Sequence, residues 1–106
     1  MELSNLLIPK RAVDIILSGI ELEYMAHFMY KNFSNGCDSD GWSKAAAYFK
    51  GESENELKHA DILMSHLNGW NVPFSVPLPK IEDIDLYSDL ASCIEKTYDA
   101  EKNLYD

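Results

Sequence analysis

Residues 41–69 read GWSKAAAYFKGESENELKHADILMSHLNG. Trp42, Ala45, Ala46, Phe49, Leu57, Ala60, Leu63, Met64 and Leu67 recur at three- and four-residue intervals, the mark of a helix with one buried stripe. The pattern predicts a helix from about Gly41 to Leu67, with Ser39 and Asp40 as N-cap candidates and Asn68-Gly69 as the stop. Gly51 lies inside it and costs roughly 1 kcal/mol relative to alanine. Two polar residues stand out: Glu56 and His59 form Glu-x-x-His, an i, i+3 pair that points one way. Glu52 lies one turn earlier, as a solvated or supporting acid.

A second helical pattern precedes this one, from about Lys10 to Phe33. Val13, Ile16, Leu17, Ile20, Tyr24, His27 and Tyr30 recur on it, with Pro9 at its start and Asn35-Gly36 as its expected stop. Glu23 and Tyr30 are seven residues apart and share a face. His27, four from Glu23, suits a structural role, and His66 a surface one. Residues 70–84 carry Pro73, Pro77 and Pro79 and read as an extended connection. A third helical pattern starts near Leu86, with Asp85 as cap and Leu90, Ala91, Ile94, Tyr98, Glu101 and Tyr105 on one side. The second helix is about 40 Å long at 1.5 Å per residue. Fifteen extended residues reach about 50 Å. The linker can therefore run the length of a bundle and return the third helix parallel to the second through a single long crossover.

The bulk numbers fit this all-α plan. The chain has 106 residues, enough for one domain over 1–106. A net charge of −9 argues against nucleic-acid binding through a basic surface. Cys37 and Cys93 form neither a zinc ribbon nor a disulfide framework. No apolar run is long enough for a membrane span and no signal peptide is evident, so a cytoplasmic setting is expected.

Each of the three helices puts a carboxylate on its apolar stripe: Glu23, Glu56 and Glu101. A buried carboxylate is costly unless paired or bound to a cation, and several facing one core repel one another. A metal ion relieves both costs, and carboxylates with a neutral imidazole suit iron or manganese. Any one of these residues is more simply a solvated helix residue; the joint placement is what points to a metal.

These residues resemble the ferritin and bacterioferritin family. Glu23-x6-Tyr30 is similar to the family's first-helix motif, and residues 45–49 to its alanine-rich second-helix start. Residues 52–61 are similar to the bacterioferritin segment that carries Glu-x-x-His, and residues 101–103 to the region of the third-helix metal glutamate. By this resemblance Glu23 and Glu56 would each bind iron, with Glu56 bridging. His59 would complete one iron's shell and Glu101 would serve the second. Tyr30, the candidate catalytic residue, would bond a ligand or take part in electron transfer. The implied activity is that of a ferroxidase: Fe(II) is oxidised by oxygen or peroxide at a di-iron site and stored.

Two departures stand against the pattern. Asn55 occupies a position where many ferritins carry a second glutamate, and the family's fourth helix is expected to be missing. A three-helix set leaves an apolar groove, which predicts association into a dimer or larger cage. The chain then reads as a fragment of a longer ferritin, as half of a site shared between two copies, or as a relative that has lost the chemistry. A haem-binding methionine cannot be placed: Met25, Met29 and Met64 suit packing. The rival readings are a non-catalytic helical association module and a ferritin-like oxidoreductase acting on peroxide.

Overall fold

A computed structural model describes residues 8–105. Three helices fill it: α1 (Lys10–Ser39), α2 (Ser43–Gly69) and α3 (Leu90–Tyr105). The described residues contain no strand. α1 and α2 form an antiparallel hairpin, pinned side by side by Ser34 Oγ donating to Ala46 O at 2.8 Å. Cys93 packs in the same cluster as Cys37, and Glu101 meets Tyr30. α3 therefore runs against α1 and parallel to α2, as the long connection predicts.

Both ends of the hairpin are closed by the same backbone device. α1 does not stop at Asn35-Gly36 but continues to Ser39. There Gly41 takes a positive φ of 84°, its N–H bonds Asp38 O, and the Trp42 N–H bonds Cys37 O. This is a Schellman closure, which satisfies the last free carbonyls of the helix. Ser39 and Asp40 thus belong to the end of α1, not to the cap of α2. α2 closes likewise: Asn71 has φ 58°, its N–H bonds Asn68 O, and the Val72 N–H bonds Leu67 O. Val72 is buried against Leu67, the apolar contact that accompanies such a closure.

Gly36 has a different task from the one expected of it. A Cβ built there would fall on the ring of Tyr87, so the glycine makes room for the crossover to lie on α1. The Tyr87 hydroxyl donates to Asp40 Oδ2, and Asn32 Nδ2 donates to Asp85 O at 3.2 Å. These contacts fix where the crossover ends. The connection itself is extended, with one 3-10 turn at Ile81–Asp83. α3 then begins at Leu90, four residues later than expected. Its cap is Asp89, whose Oδ1 accepts the Ser92 N–H at 2.7 Å.

The core has two parts. Met29, Tyr30, Phe33, Cys37, Ala46, Phe49 and Cys93 form one, near the α1–α2 turn. Val13, Ile20, Ala60, Leu67 and Val72 form the other, at the opposite end. The expected α3 stripe needs correction. Cys93 is buried and Leu90, Thr97, Ala100 and Glu101 are half-buried, whereas Ala91, Ile94 and Tyr98 face solvent. Residues 91, 94, 98 and 101 share one helical face, but α1 and α2 lie against a neighbouring arc. The side chain of Tyr105, also on the expected stripe, lies outside the described residues, as does Asp106. Trp42, just ahead of α2, and Leu57 within it are likewise exposed although the spacing put them inside.

Candidate metal centre

Between the two apolar clusters lies a belt of polar side chains. Ile20 and Met29 bracket it on α1, Phe49 and Ala60 on α2. Glu23 and His27 come from α1; Glu52, Ser53, Glu56 and His59 come from α2; Glu101 arrives on α3. The helical repeat makes this possible: Glu23 and Glu56 sit on the buried side of helices that run antiparallel, so their carboxylates converge.

The structure brings Glu23, Glu56 and His59 together. One potential ligand atom from each lies within 4.8 Å of the others. His59 Nδ1 is 3.5 Å from Glu23 Oε2 and 3.7 Å from Glu56 Oε2. Glu23 Oε2 is buried and has no hydrogen-bond donor. A carboxylate oxygen stripped of water and left unpaired costs about 1–3 kcal/mol, so this atom asks for a cation or a proton. Glu56 answers in part by staying neutral: its pKa is pushed up to about 8. Burial is the largest cause, followed by the hydrogen bond and charge of Glu23, with Glu101 adding to them and His59 opposing. The His59 imidazole is more than half exposed and forms the mouth of the group.

Glu101 does not join this three-residue group. It accepts a hydrogen bond from Tyr30 Oη through Oε1 at 3.3 Å, while its charge reaches Glu56. Tyr30 is buried and stacks on Phe49, with ring centres 6.0 Å apart and planes 17° from parallel. Its phenol is held firmly protonated, first by burial and then by the charges of Glu101 and Glu56. Glu52 contributes charge near Tyr30 and is not one of the three grouped residues.

His27 turns away from the carboxylates. Its Nδ1 lies 2.7 Å from Ser53 O, a carbonyl that can only accept, so Nδ1 carries the proton. Ser53 Oγ donates back to His27 O at 3.1 Å and receives Nδ1 at 2.9 Å. This closed set ties α1 to α2 at the level of the site. The buried Ser53 gave no sign in the sequence, since one serine among exposed acids looks solvated.

The donors present suit a hard or borderline divalent cation. They comprise the Glu23 and Glu56 carboxylates and the His59 imidazole, with the Glu101 carboxylate nearby on α3. No described helix is long and apolar enough to cross a membrane. No curated protein matches the chain. A family model, the Ferritin-like domain, matches residues 14–106. That match takes in all three helices apart from the first turn of α1, and with it the whole polar belt; the chain belongs to the ferritin family.

Proposed function

We propose that this chain handles iron as a ferroxidase, oxidising Fe(II) at a carboxylate and histidine site and passing it into storage. The observation that carries the reading is the convergence of the buried Glu23 Oε2, a Glu56 carboxylate oxygen and the His59 imidazole, whose ligand atoms lie within 4.8 Å of one another. Iron is the substrate. Glu23, Glu56 and His59 would hold one ion, with Glu56 releasing its proton as the ion enters. Glu101, across from Glu56, would supply a carboxylate to a second ion, so that two irons share the electrons needed to reduce oxygen or peroxide. The exposed His59 lets the ion shed water at the mouth before it meets the buried acids. Tyr30 stands close enough to Glu101 to hold that carboxylate in place and to donate an electron and a proton.

The described residues bring three carboxylates and one histidine to the site. A second ion would draw its remaining donors from a further helix or from a second copy of the chain, and a cytoplasmic homo-oligomer is the working form in this reading. Anaerobic Fe(II) titration followed by air tests the proposal. Saturable iron binding and a rise in ferric absorbance are expected, and both should be lost in Glu56→Ala. Wild type and Glu56→Ala behaving alike, with no saturable iron in either, would overturn it. Peroxide consumption without a ferric product would instead favour a peroxide-reducing oxidoreductase.

A further inference from the structure

The ring contacts that lead outward from Tyr30 reach solvent at one place among the described residues. Tyr30 stacks on Phe49 at 6.0 Å, and Phe49 meets Tyr48 edge-on at 5.4 Å. Phe33 also touches both Tyr30 and Phe49, but it is fully buried and ends there. Tyr48 is 56% exposed. No described aromatic pair joins Trp42 or Trp70 to this set.

We propose that Tyr30, Phe49 and Tyr48 form an electron path in which Tyr48 is the surface terminus, refilling Tyr30 after it has been oxidised. Phenols give up electrons far more readily than a phenyl ring. Tyr30 and Tyr48 are therefore the stations, and Phe49 is the bridge between them. The protons are also provided for. Tyr30 loses one electron to an oxidant derived from dioxygen or hydrogen peroxide, and its phenolic proton passes to Glu101, 3.3 Å away. Tyr48 then returns an electron through Phe49, Glu101 gives the proton back to Tyr30, and the Tyr48 proton leaves to water. The charges of Glu52 and Glu101 reach the Tyr48 phenol, and negative charge stabilises the electron-poor ring. A soluble thiol or ascorbate-type reductant can repair the exposed Tyr48 radical, which it could not do at Tyr30, only 2% exposed. The path protects the core from oxidation when iron is scarce.

Its biological use rests on the iron-oxidation reading, but its test does not. The metal-free protein is flash-oxidised with tris(bipyridyl)ruthenium(III), an ion too bulky to touch the buried Tyr30 ring, and frozen for electron paramagnetic resonance. Electron exchange between the two phenols runs in both directions, so wild type should show, beside the signals of exposed tyrosines, a tyrosyl component that Tyr30→Phe removes. Tyr48→Phe, at an exposed position that leaves the fold intact, should lower that Tyr30-dependent signal at least fivefold. Phe49→Leu, with its fold checked by circular dichroism, should lower it as well. An undiminished Tyr30 signal in Tyr48→Phe, or no Tyr30 signal in wild type, would overturn the path. Loss of iron binding in the titration above would leave this result standing and remove only its use.

Discussion

The Tyr30 hydroxyl donates to Glu101 Oε1 across 3.3 Å, joining two residues 71 positions apart in the chain. It is the polar contact at site level between α1 and α3, and it holds the third carboxylate in place over the group formed by Glu23, Glu56 and His59. Tyr30→Phe keeps the ring, its stacking on Phe49 and its volume, and removes only this bond. The loss should cost about 0.5–1.5 kcal/mol in urea unfolding. The rate of ferric absorbance after Fe(II) addition should fall at least threefold. An unchanged rate would confine Tyr30 to a packing role.

Glu56 sets a pH dependence of known sign. Its carboxyl titrates near 8 when folded and near 4.5 in the open chain. Between those values the folded state holds a proton that the unfolded state has lost. The metal-free protein should therefore be most stable below about pH 4.5 on this account and lose stability as pH rises toward 8. Partial exposure limits the effect to roughly 1–2 kcal/mol. Chemical denaturation at pH 5.5 and pH 8.5 measures it, and Glu56→Gln should flatten this contribution. A metal-free protein whose stability rose across that window, with Glu56→Gln showing the same rise, would contradict the assignment.

Metal binding should run the other way. An ion must displace the Glu56 proton, so its affinity should increase with pH up to about 8. Manganese(II), which does not oxidise readily in this setting, serves as the probe. At a hundredfold excess over its dissociation constant, binding to the folded state alone adds about 2.7 kcal/mol. The melting temperature should rise by several degrees in wild type and by much less in His59→Ala or Glu23→Ala. Equal shifts in all three proteins would place the ion elsewhere on this acidic surface.

Two glycines inside helices should respond oppositely to alanine. Gly51 has nothing within 4 Å of a built Cβ, so Gly51→Ala should stabilise the protein by about 0.5–1 kcal/mol through helix propensity. Gly36→Ala would push the Tyr87 ring off α1 and strain its bond to Asp40. Despite the same gain in propensity it should destabilise by about 1–3 kcal/mol. Thermal melts of the two variants decide it. A stabilised Gly36→Ala would mean that the crossover repacks freely.

The three-helix plan and a crossover long enough to return the third helix parallel to the second were legible in the sequence, because helical periodicity and proline placement are local properties. The same periodicity put Glu23 and Glu56 on inward-facing sides of adjacent helices. What it could not say was which arc of a helix meets which neighbour. α3 carries apolar residues on more than one face. Only packing decided that Cys93 and Ala100 go inward while Ile94 and Tyr98 stay in water. The stop of α1 was misplaced for a related reason, whereas α2 ends at Asn68-Gly69 as its composition indicates. Asn35-Gly36 has the composition of a stop, but Gly36 serves a ring that comes from 51 residues further along, at Tyr87. Gly41 and Asn71 end the helices because the chain there can turn into the left-handed region and close its carbonyls. The sequence by itself determined the elements and the kinds of donor they carry. The tertiary structure alone decided that Glu23, Glu56 and His59 converge, that Glu101 meets Tyr30, and that Ser53 fixes His27. Such contacts depend on the relative rotation of packed helices, which a local pattern does not contain.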